Sequence, residues 1–305
     1  MTLYIKDSLI PDGPDKCIFM AYLEGHCDTL DISLDDSEGT IRGMGIKKGD
    51  TVQAIEGNVD TGEMYISGIE YSGTQIAIRA LSLPLSAFKV STQYWDNATL
   101  TAIVKDVLKD SGLKIDFAEK PKFSYKEMAM IEEEPIKFLF GKLELEGFGI
   151  RINNNTAYIF DERSLEKDDY KIQLTEEDFQ NPPVYSTKDS GLISEVKNTY
   201  LTADGKTIKT TEKSGIEGKI LNLNMAVNSV GESIRFSQGI MRKANKYEYV
   251  CEGTMENLEW QPGEIVYLSD APDGHTGENI IYAIKNDMAG NSQTLYMRRP
   301  IEGDY

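Results

Sequence analysis

Two distant segments of the chain repeat the same order of turn and strand signals. The first is Gly49-Asp50-x-Val52, then Thr61-Gly62-Glu63, then Tyr65-Ile66-x-x-Ile69. The second is Gly263-Glu264-x-Val266, then Thr276-Gly277-Glu278, then Ile280-Ile281-x-x-Ile284. In both, a glycine turn and a last strand follow, reaching Arg79 in one and Arg298 in the other. Single glycine turns before strands are common, but this ordered agreement favours a duplication. We therefore predict two related β-modules that flank a different insert.

Alternating apolar residues predict strands through the first module. Leu30, Ile32 and Leu34 alternate with polar residues, which is the period of a half-buried strand. Four further strand signals cover residues 17–23, 51–56, 64–71 and 75–80, separated by turns that contain glycine. Several short strands with close turns are typical of a compact β-barrel or sandwich.

The pattern changes to a helical period in the insert. Asn97 or Thr99 can cap a helix that Gly112 ends. Its apolar stripe is Leu100, Ile103, Val104, Val107 and Leu108. A second helix is expected to begin near Pro135, to carry Ile136, Phe140 and Leu143, and to stop by Gly147. Strands are predicted at residues 148–152 and 157–161, with the three asparagines 153–155 as their turn. Residues 95–165 therefore indicate a small α/β unit.

The C-terminal part again favours strands, with one helix. Residues 163–190 are charged and predicted to be mostly loop, and we place a boundary there. A strand is expected at 193–201, and 202–218 is either an exposed loop or a long hairpin. The predicted helix within 226–245 would turn Ile234, Ile240, Met241 and Ala244 inward. Final strands are expected at 247–255, 264–269, 279–285 and 293–298.

These signals predict a mixed α+β fold that is mostly β. We expect a first β-barrel module at residues 1–92 and an α/β insert domain with its linker at 93–185. A second β-barrel module with one helix would cover 186–305. Trp95 and Trp260 each lie beside a predicted module edge, where either could anchor domain packing or simply fill a core.

Composition excludes several functional classes. The chain has 32 Lys+Arg against 50 Asp+Glu, a formal charge of −18. Such a surface repels phosphate backbones and anionic membranes, so we expect no specific nucleic-acid binding. The N-terminus lacks the apolar run of a signal peptide, and no apolar stretch is long enough to span a membrane. We expect a protein that folds in the bacterial cytoplasm.

No pattern of catalytic or metal-binding residues is present. Cys17, Cys27 and Cys251 form no CxxC pair, and His26 and His275 lie far apart, so we predict reduced cysteines and no metal site. The sequence has no GxSxG, HExxH or GxxxxGK[ST] motif. We read the acidic run at residues 132–134 as a solvated helix start favoured by the helix dipole. The prediction is no catalytic residue, no cofactor and no enzyme, with peptidoglycan cleavage as the weaker alternative.

Four motifs, in this order, resemble one known family. They are Tyr94-Trp95-Asp96-Asn97-Ala98-Thr99-Leu100 leading to Gly112-Leu113, Glu134-Pro135-Ile136-Lys137-Phe138-Leu139, Asp189-Ser190-Gly191-Leu192-Ile193-Ser194-Glu195-Val196, and Trp260-Gln261-Pro262-Gly263-Glu264-x-Val266. Together they are similar to the phage late control protein D family, the baseplate hubs of contractile phage tails and tailocins. That family is related to the hub part of type VI secretion spike proteins.

The resemblance implies a structural role. Hubs of this family are homotrimers whose two barrel modules per chain form a pseudo-sixfold ring. The ring joins the hexameric tail tube, or a tube-initiator protein, to the central spike, and the insert domain meets baseplate wedge proteins. We would then expect assembly into a phage tail or phage-tail-like particle. The remaining alternative is a peripheral tail adaptor or a carbohydrate-binding β module.

The negative charge has two readings in that setting. It can simply keep the protein soluble. It could also line the bore of the ring, so that DNA slides through without binding, by repulsion over a Debye length of about 8 Å. A ring structure with a neutral or basic bore would contradict the second reading.

Overall fold

The computed structural model describes residues 1–188, 190–256, 259–301 and 305. Asp189, which opens the third motif of the resemblance, lies outside the described residues. Strands account for 46% of the chain and helices for 17%. The predicted mixed class, mostly β, is therefore confirmed, while the division at residues 92 and 185 stays a prediction.

The first 99 residues are mainly strands. These are β1 Thr2–Ile5, β2 Ser8–Ile10, β3 Lys16–Tyr22, β4 Thr29–Asp35, β5 Thr51–Glu56, β6 Val59–Asp60, β7 Met64–Ser72, β8 Gln75–Leu81 and β9 Ser91–Thr99. The short helix α1 spans Thr40–Gly43, and a 3-10 turn spans Leu85–Phe88. Leu30, Ile32 and Leu34 are all buried, as their alternation predicts.

The middle of the chain carries most of the helices. Its elements are α2 Leu100–Leu108, β10 Lys114–Phe117, β11 Ser124–Glu133, α3 Pro135–Leu145, β12 Phe148–Asn153, β13 Thr156–Asp161 and α4 Glu162–Leu165. Thr99 caps α2, since its hydroxyl accepts a hydrogen bond from the Ala102 N–H at 3.2 Å. The whole predicted stripe of α2 is buried. In α3, Ile136 and Leu143 are buried as predicted, but Phe138 and Leu139 are buried where Phe140 was expected.

The last third returns to strands. Its elements are β14 Ile172–Leu174, β15 Val184–Thr187, β16 Ile193–Leu201, β17 Thr207–Lys213, β18 Lys219–Leu223, α5 Val230–Asn245, β19 Tyr249–Glu256, β20 Ile265–Leu268, β21 Gly277–Asp287 and β22 Ser292–Arg298, with a 3-10 turn at Glu176–Asp178. Because β17 pairs antiparallel with β16, residues 202–218 include a hairpin rather than an exposed loop. Residues 163–190 are largely loop, as predicted, but β14 and β15 lie there as well and both join the large sheet.

One sheet of 14 strands connects the two ends of the chain. Its main order is β15-β19-β22-β21-β3-β4-β8-β7-β5-β1-β2, with β20 beside β21, β14 beside β20 and β6 beside β5. Three smaller sheets complete the fold, namely β10-β13-β12, β9-β11 and β17-β16-β18. Helices α2 and α3 bury a separate apolar core against β11, β12 and β13. Strands near the N-terminus and strands near the C-terminus therefore belong to one hydrogen-bonded sheet.

The inward face of α5 differs from the prediction. Of the predicted inward positions, Met241 is buried and Ile234, Ile240 and Ala244 are partly buried. The rest of the buried face is largely polar, and includes Glu232, Ser233, Ser237, Arg242 and Asn245. Hydrophobic periodicity found the helix but missed a face that is buried through hydrogen bonds and ion pairs.

Candidate functional site

The repeated sequence segments have the same hydrogen-bond register in the structure. We call β3, β4, β8, β7 and β5 the first strand set, and β15, β19, β22, β21 and β20 the second strand set. Gly49 donates its N–H to the Ile66 carbonyl at 2.8 Å, and Gly263 donates to Ile281 at 2.8 Å. In turn, the Ile66 N–H donates to the Asp50 backbone carbonyl, and the Ile281 N–H donates to the Glu264 backbone carbonyl, each at 2.9 Å.

The bulges of the two strand sets also coincide. The β7–β8 ladder shifts register between Ile66 and Gly68. The β21–β22 ladder shifts between Ile281 and Ala283, the equivalent place. Because a bulge adds one unpaired residue at a defined position, a shared bulge is a specific backbone feature. The predicted repeat is thus visible in the backbone pairing, although the registers show that Arg298 occupies the position of Leu81 and not that of Arg79.

The two strand sets meet at the pairing of β3 with β21. Ala283 lies opposite Tyr22, Lys285 opposite Met20 and Asp287 opposite Ile18. The ladder continues at both ends, since Leu23 donates to the Tyr282 carbonyl and Met288 to the Cys17 carbonyl, each at 2.9 Å. The first half of β21 pairs with β20 instead, so β3 extends the sheet where β20 ends.

Each strand set has one edge without a strand partner among the described residues. β15 ends the large sheet, and the second half of β7 pairs with β8 on one side alone. Both edges expose apolar side chains, since Val184 is 62% exposed and Tyr71 is 49% exposed. Unpaired edges with apolar side chains are templates for pairing with another chain.

The β12–β13 hairpin of the middle region contacts the first strand set at its repeat turn. Asn155 Oδ1 accepts from the Tyr65 hydroxyl at 2.7 Å, and Asn155 Nδ2 donates to Glu63 at 2.8 Å. Gly62 lies so close that an added Cβ would meet Asn154 Cβ at 2.7 Å. A Cβ added to its repeat equivalent Gly277 would meet no atom of the described residues within 4 Å. The hairpin turn therefore distinguishes the two copies.

The same hairpin reaches both strand sets through its first strand. Asn153 Nδ2 lies 3.4 Å from the Asp28 carboxylate, and Arg151 donates to the Pro262 carbonyl at 3.4 Å. Burial raises the pKa of Asp28 to about 6, although Arg151 and the hydrogen bonds from Tyr22 and Asn153 oppose the rise. These contacts fix the middle region against the junction of the sheet.

Six charged side chains form a buried cluster where α4, α5 and the strand ends meet. Lys246 contacts Glu24 at 2.6 Å and Glu162 at 3.4 Å. Glu166, which follows α4, accepts from Arg242 at 2.7 Å and from Arg298 at 2.8 Å. We call these residues the charge cluster, and their members are Glu24, Glu162, Glu166, Arg242, Lys246 and Arg298. All six are buried, and three acids balance three bases. Removing one partner would leave an uncompensated buried charge.

The pKa values of the two acids around Lys246 are shifted in opposite directions. Burial, with repulsion from Glu162, raises the pKa of Glu24 to about 8 despite the attraction of Lys246. Burial also acts on Glu162, but Lys246, the hydrogen bond with Glu24 and the two arginines outweigh it and lower its pKa to about 2. Two neighbouring carboxyls that share one proton behave in this way.

Helix α5 packs closely on the end of α3 through a second polar contact. Arg235 Nε donates to Glu146 at 2.6 Å, and the Tyr125 hydroxyl donates to the same carboxylate at 2.5 Å. Gly239 lies against the Leu145 carbonyl, where an added Cβ would come within 2.3 Å of the oxygen. A glycine here permits an approach that any larger residue would block.

The residues that the sequence singled out for chemistry have packing roles. Cys17 and Cys251 are buried free thiols, and His275 hydrogen-bonds the Ser186 carbonyl at 3.0 Å. Trp260 lies in the core beside β20 to β22, and Trp95 stacks on Phe138 with ring centroids 5.6 Å apart. Among the described residues, no group of three or more His, Cys, Asp or Glu is placed to hold a metal ion. The described helices include none that is long and apolar enough to cross a membrane.

The likeness of this chain to solved structures lies in its fold. No family model matches the chain, and no curated protein matches it. The fold is similar to the 43 kDa tail protein of prophage MuSo2 from Shewanella oneidensis, with a TM-score of 0.78, 16% identity and 98% of each chain covered. The fold is also similar to a tail protein from Neisseria meningitidis MC58, with a TM-score of 0.74 and 10% identity over 98% of this chain and 95% of that one.

The chain has the fold of phage tail proteins. An E. coli component of the type VI secretion system, described as structurally similar to the T4 tail proteins gp27 and gp5, shares the fold as well. It matches with a TM-score of 0.64 at 13% identity, over 98% of this chain and 76% of that one. Phage tail proteins and a type VI secretion component thus share this architecture, as the sequence resemblance implies. The likeness extends over the whole chain, so the two strand sets and the middle region belong to one shared fold.

Proposed function

We propose that the chain is the baseplate hub of a contractile phage tail or a phage-tail-like particle. Three copies would form a ring in which each contributes two β-barrel modules, giving six similar positions around the axis. The ring would join the hexameric tail tube, or its initiator, to the trimeric spike. The middle region would face the wedge proteins.

The observation that carries this proposal is the repeated register within one sheet. A trimer of an unduplicated chain offers three equivalent positions, which cannot match a sixfold tube position by position. Two copies of the same strand set per chain raise the number to six, so a threefold object can seat against a sixfold one. The matching hydrogen bonds of Gly49 and Gly263 support this duplication at the level of the backbone.

A structural role accounts for the chemistry of the molecule better than catalysis does. Its buried acids are paired with bases in the charge cluster or bonded to neighbouring groups, and so hold parts of the chain together. The similar proteins are phage tail proteins and a type VI secretion component, which supports a non-enzymatic role. We therefore propose that the chain carries no active site of its own.

The carbohydrate-binding alternative has less support. Tyr94 is 70% exposed beside a groove of about 760 Å³, which is where a sugar platform could form. The neighbouring Trp95, however, is turned into the middle region, where its indole N–H donates to Asp106 at 2.9 Å. A single exposed ring is weaker support than a duplicated strand set.

Native mass tests the proposal. Light scattering of the purified chain, alone and with a purified trimeric spike protein, should give three copies of the 34.1 kDa chain, about 102 kDa before any spike is added to the mass. A monomer or a dimer under both conditions would contradict the hub and favour a peripheral adaptor.

A further inference from the structure

We infer that neighbouring copies of this chain join by strand addition, with β15 of one copy pairing to the free half of β7 in the next. This contact would repeat, between chains, the pairing of β3 with β21 that exists within one chain. The inference rests on the proposed ring and specifies its interface. The occupant of both free edges is thus a second copy of the same chain.

The first argument is that β15 and β3 hold equivalent positions. β3 flanks β4 with Phe19 opposite Leu30, and β15 flanks β19 with Tyr185 opposite Cys251. The β4–β8 and β19–β22 registers make Leu30 and Cys251 equivalent. Tyr185 therefore corresponds to Phe19, and Ser186 to Met20. β3 uses its other edge to pair with β21, whereas no strand of the described chain lies beside the matching edge of β15.

The second argument is that β7 and β21 hold equivalent positions, but only β21 has a further strand, β3, paired along its second half. The register makes Ile69 equivalent to Ile284 and Tyr71 equivalent to Asn286. Ile284 and Asn286, which β3 covers, are 0% and 2% exposed, whereas Tyr71 is 49% exposed. The free half of β7 is thus the place where a strand like β3 is missing.

The backbone groups on both edges point the right way. The Met288 N–H donates to the Cys17 carbonyl, so the even-numbered residues of this part of β21 direct their backbone N–H and C=O groups toward β3. Ile69 and Tyr71 are equivalent to Ile284 and Asn286, so their backbone N–H and C=O groups point away from β8, toward the free edge of β7. Lys188 donates to the Glu248 carbonyl at 2.7 Å, which directs the even residues of β15 toward β19. Tyr185 and Thr187 therefore direct their backbone N–H and C=O groups toward the free edge of β15.

Transferring the β3–β21 register gives the contact residue by residue. Tyr185 should lie opposite Tyr71, Ser186 opposite Glu70 and Thr187 opposite Ile69 of the next copy. Each chain has one edge of each kind, so the contact is head-to-tail and closes when the copies form a ring. Closure would cover both exposed edges and remove the hazard of unlimited pairing.

A disulfide experiment tests this register. Ser186 and Glu70 are both exposed in the single chain, and they would form a non-hydrogen-bonded pair with Cα atoms about 4.5 Å apart, a distance that a disulfide can bridge. The double variant Ser186→Cys with Glu70→Cys should give covalent dimers and trimers on a non-reducing denaturing gel. Burial raises the pKa of native Cys17 to about 12 and of Cys27 to about 11, so background oxidation should be slow.

Two matched variants serve as controls. Met20→Cys with Lys285→Cys places the same kind of pair at the β3–β21 contact and should link within one chain. Ser186→Cys with Ser72→Cys lies on the same face but two residues out of register, about 7–8 Å apart, and should link poorly. Covalent trimers from the in-register pair alone would support the inference.

The outcomes separate the inference from the proposed function. If the parent chain is a trimer by native mass, and the in-chain pair links while Ser186→Cys with Glu70→Cys does not, the strand pairing is wrong and the hub proposal stands. If no trimer forms with or without spike, both are wrong. Thr187→Pro gives a second check, because it removes an outward N–H for which the described residues of the single chain provide no acceptor. It should leave the far-UV circular dichroism unchanged and reduce trimer formation at least tenfold, and an unaffected trimer would overturn the inference.

Discussion

The first and second strand sets share a backbone register but stabilise equivalent positions by different means. At one of these positions the first set has Leu81, a half-buried apolar residue, and the second has Arg298, which is fully buried and bound to Glu166 at 2.8 Å. Register depends on bulges and on turns at glycines such as Gly49 and Gly263. Once the bulges and turns fix the register, the side chains at equivalent positions are less restricted. Leu81 can therefore contribute to a core in the first strand set, while Arg298 connects the second strand set to α4 and α5.

The cores of the two strand sets show the same contrast. The first encloses a cluster of apolar side chains from Leu3 to Ala80, completed by Met288. The second has a smaller apolar core around Trp260 and Leu295, and it adjoins the charge cluster at the end of β22. Burial of apolar area tolerates small shifts, whereas paired charges require a defined geometry. We therefore expect mutations to have larger and more specific effects at the charge cluster.

The largest effect should come from Arg298→Ala. It removes one of the two bases that contact Glu166 and should lower the free energy of unfolding by about 3–5 kcal/mol. Leu81→Ala, at the equivalent position, should cost only about 1–2 kcal/mol, because Leu81 is half-buried. Urea unfolding of both variants measures the difference. Equal losses would contradict a special role for the charge cluster.

A smaller effect should follow from Gly62→Ala, at the turn where the β12–β13 hairpin meets the first strand set. The positive φ of 64° costs about 1 kcal/mol, and the clash of the new Cβ with Asn154 adds about 1–3 kcal/mol. Gly73→Ala is the matched control, with φ of 59° and open space around it. Comparing their unfolding midpoints isolates the contact, and identical midpoints would show that the hairpin does not press on this turn.

The charge cluster should also make stability depend on pH through Glu24. Its pKa is raised from 4.5 to about 8, so its stabilising contribution is complete below pH 4.5 and is lost as pH rises through 8. Glu24→Gln stays neutral, and its stability relative to the parent should therefore increase between pH 4.5 and pH 8. Chemical unfolding at those two pH values measures this change. A constant difference between variant and parent would show that Glu24 titrates normally beside Lys246, Glu162 and Arg298.

The smallest effect is expected for Arg79→Ala. The sequence repeat pairs Arg79 with Arg298, but the Arg79 side chain is 80% exposed and lies 3.4 Å from Asp31, which is itself 51% exposed. Solvent screens such pairs, so the change should cost about 0–1 kcal/mol. Measured beside Arg298→Ala, it tests whether environment rather than sequence position decides what an arginine contributes, and a loss as large as that of Arg298→Ala would contradict this.

Much of the fold follows from local pattern, and the missed parts have physical reasons. Alternation predicted β4, and the apolar stripe with its cap predicted α2, because both depend on neighbours in sequence. β15 was missed because it is four residues long, mostly exposed, and follows Pro182-Pro183, so nothing in its pattern shows that it pairs with β19. Its role as an edge becomes visible only from the order of the sheet.

The charge cluster could have been found in part. Glu162 and Glu166 are four residues apart, as are Arg242 and Lys246, so each pair shares one face of a helical turn. Charged residues at that spacing usually indicate a solvated face, and the prediction for α5 accordingly turned only apolar residues inward. Which charges are buried depends on tertiary contacts with Glu24 and Arg298, which are distant in sequence.

Electron cryomicroscopy of the purified assembly, viewed along its symmetry axis, tests the central claim most directly. Three chains with two equivalent strand sets each should give a closed ring of six similar β lobes with threefold symmetry. Density for β15 of one copy should continue into β7 of the next. A ring with three lobes, or an open assembly in which both edges remain uncovered, would contradict the account.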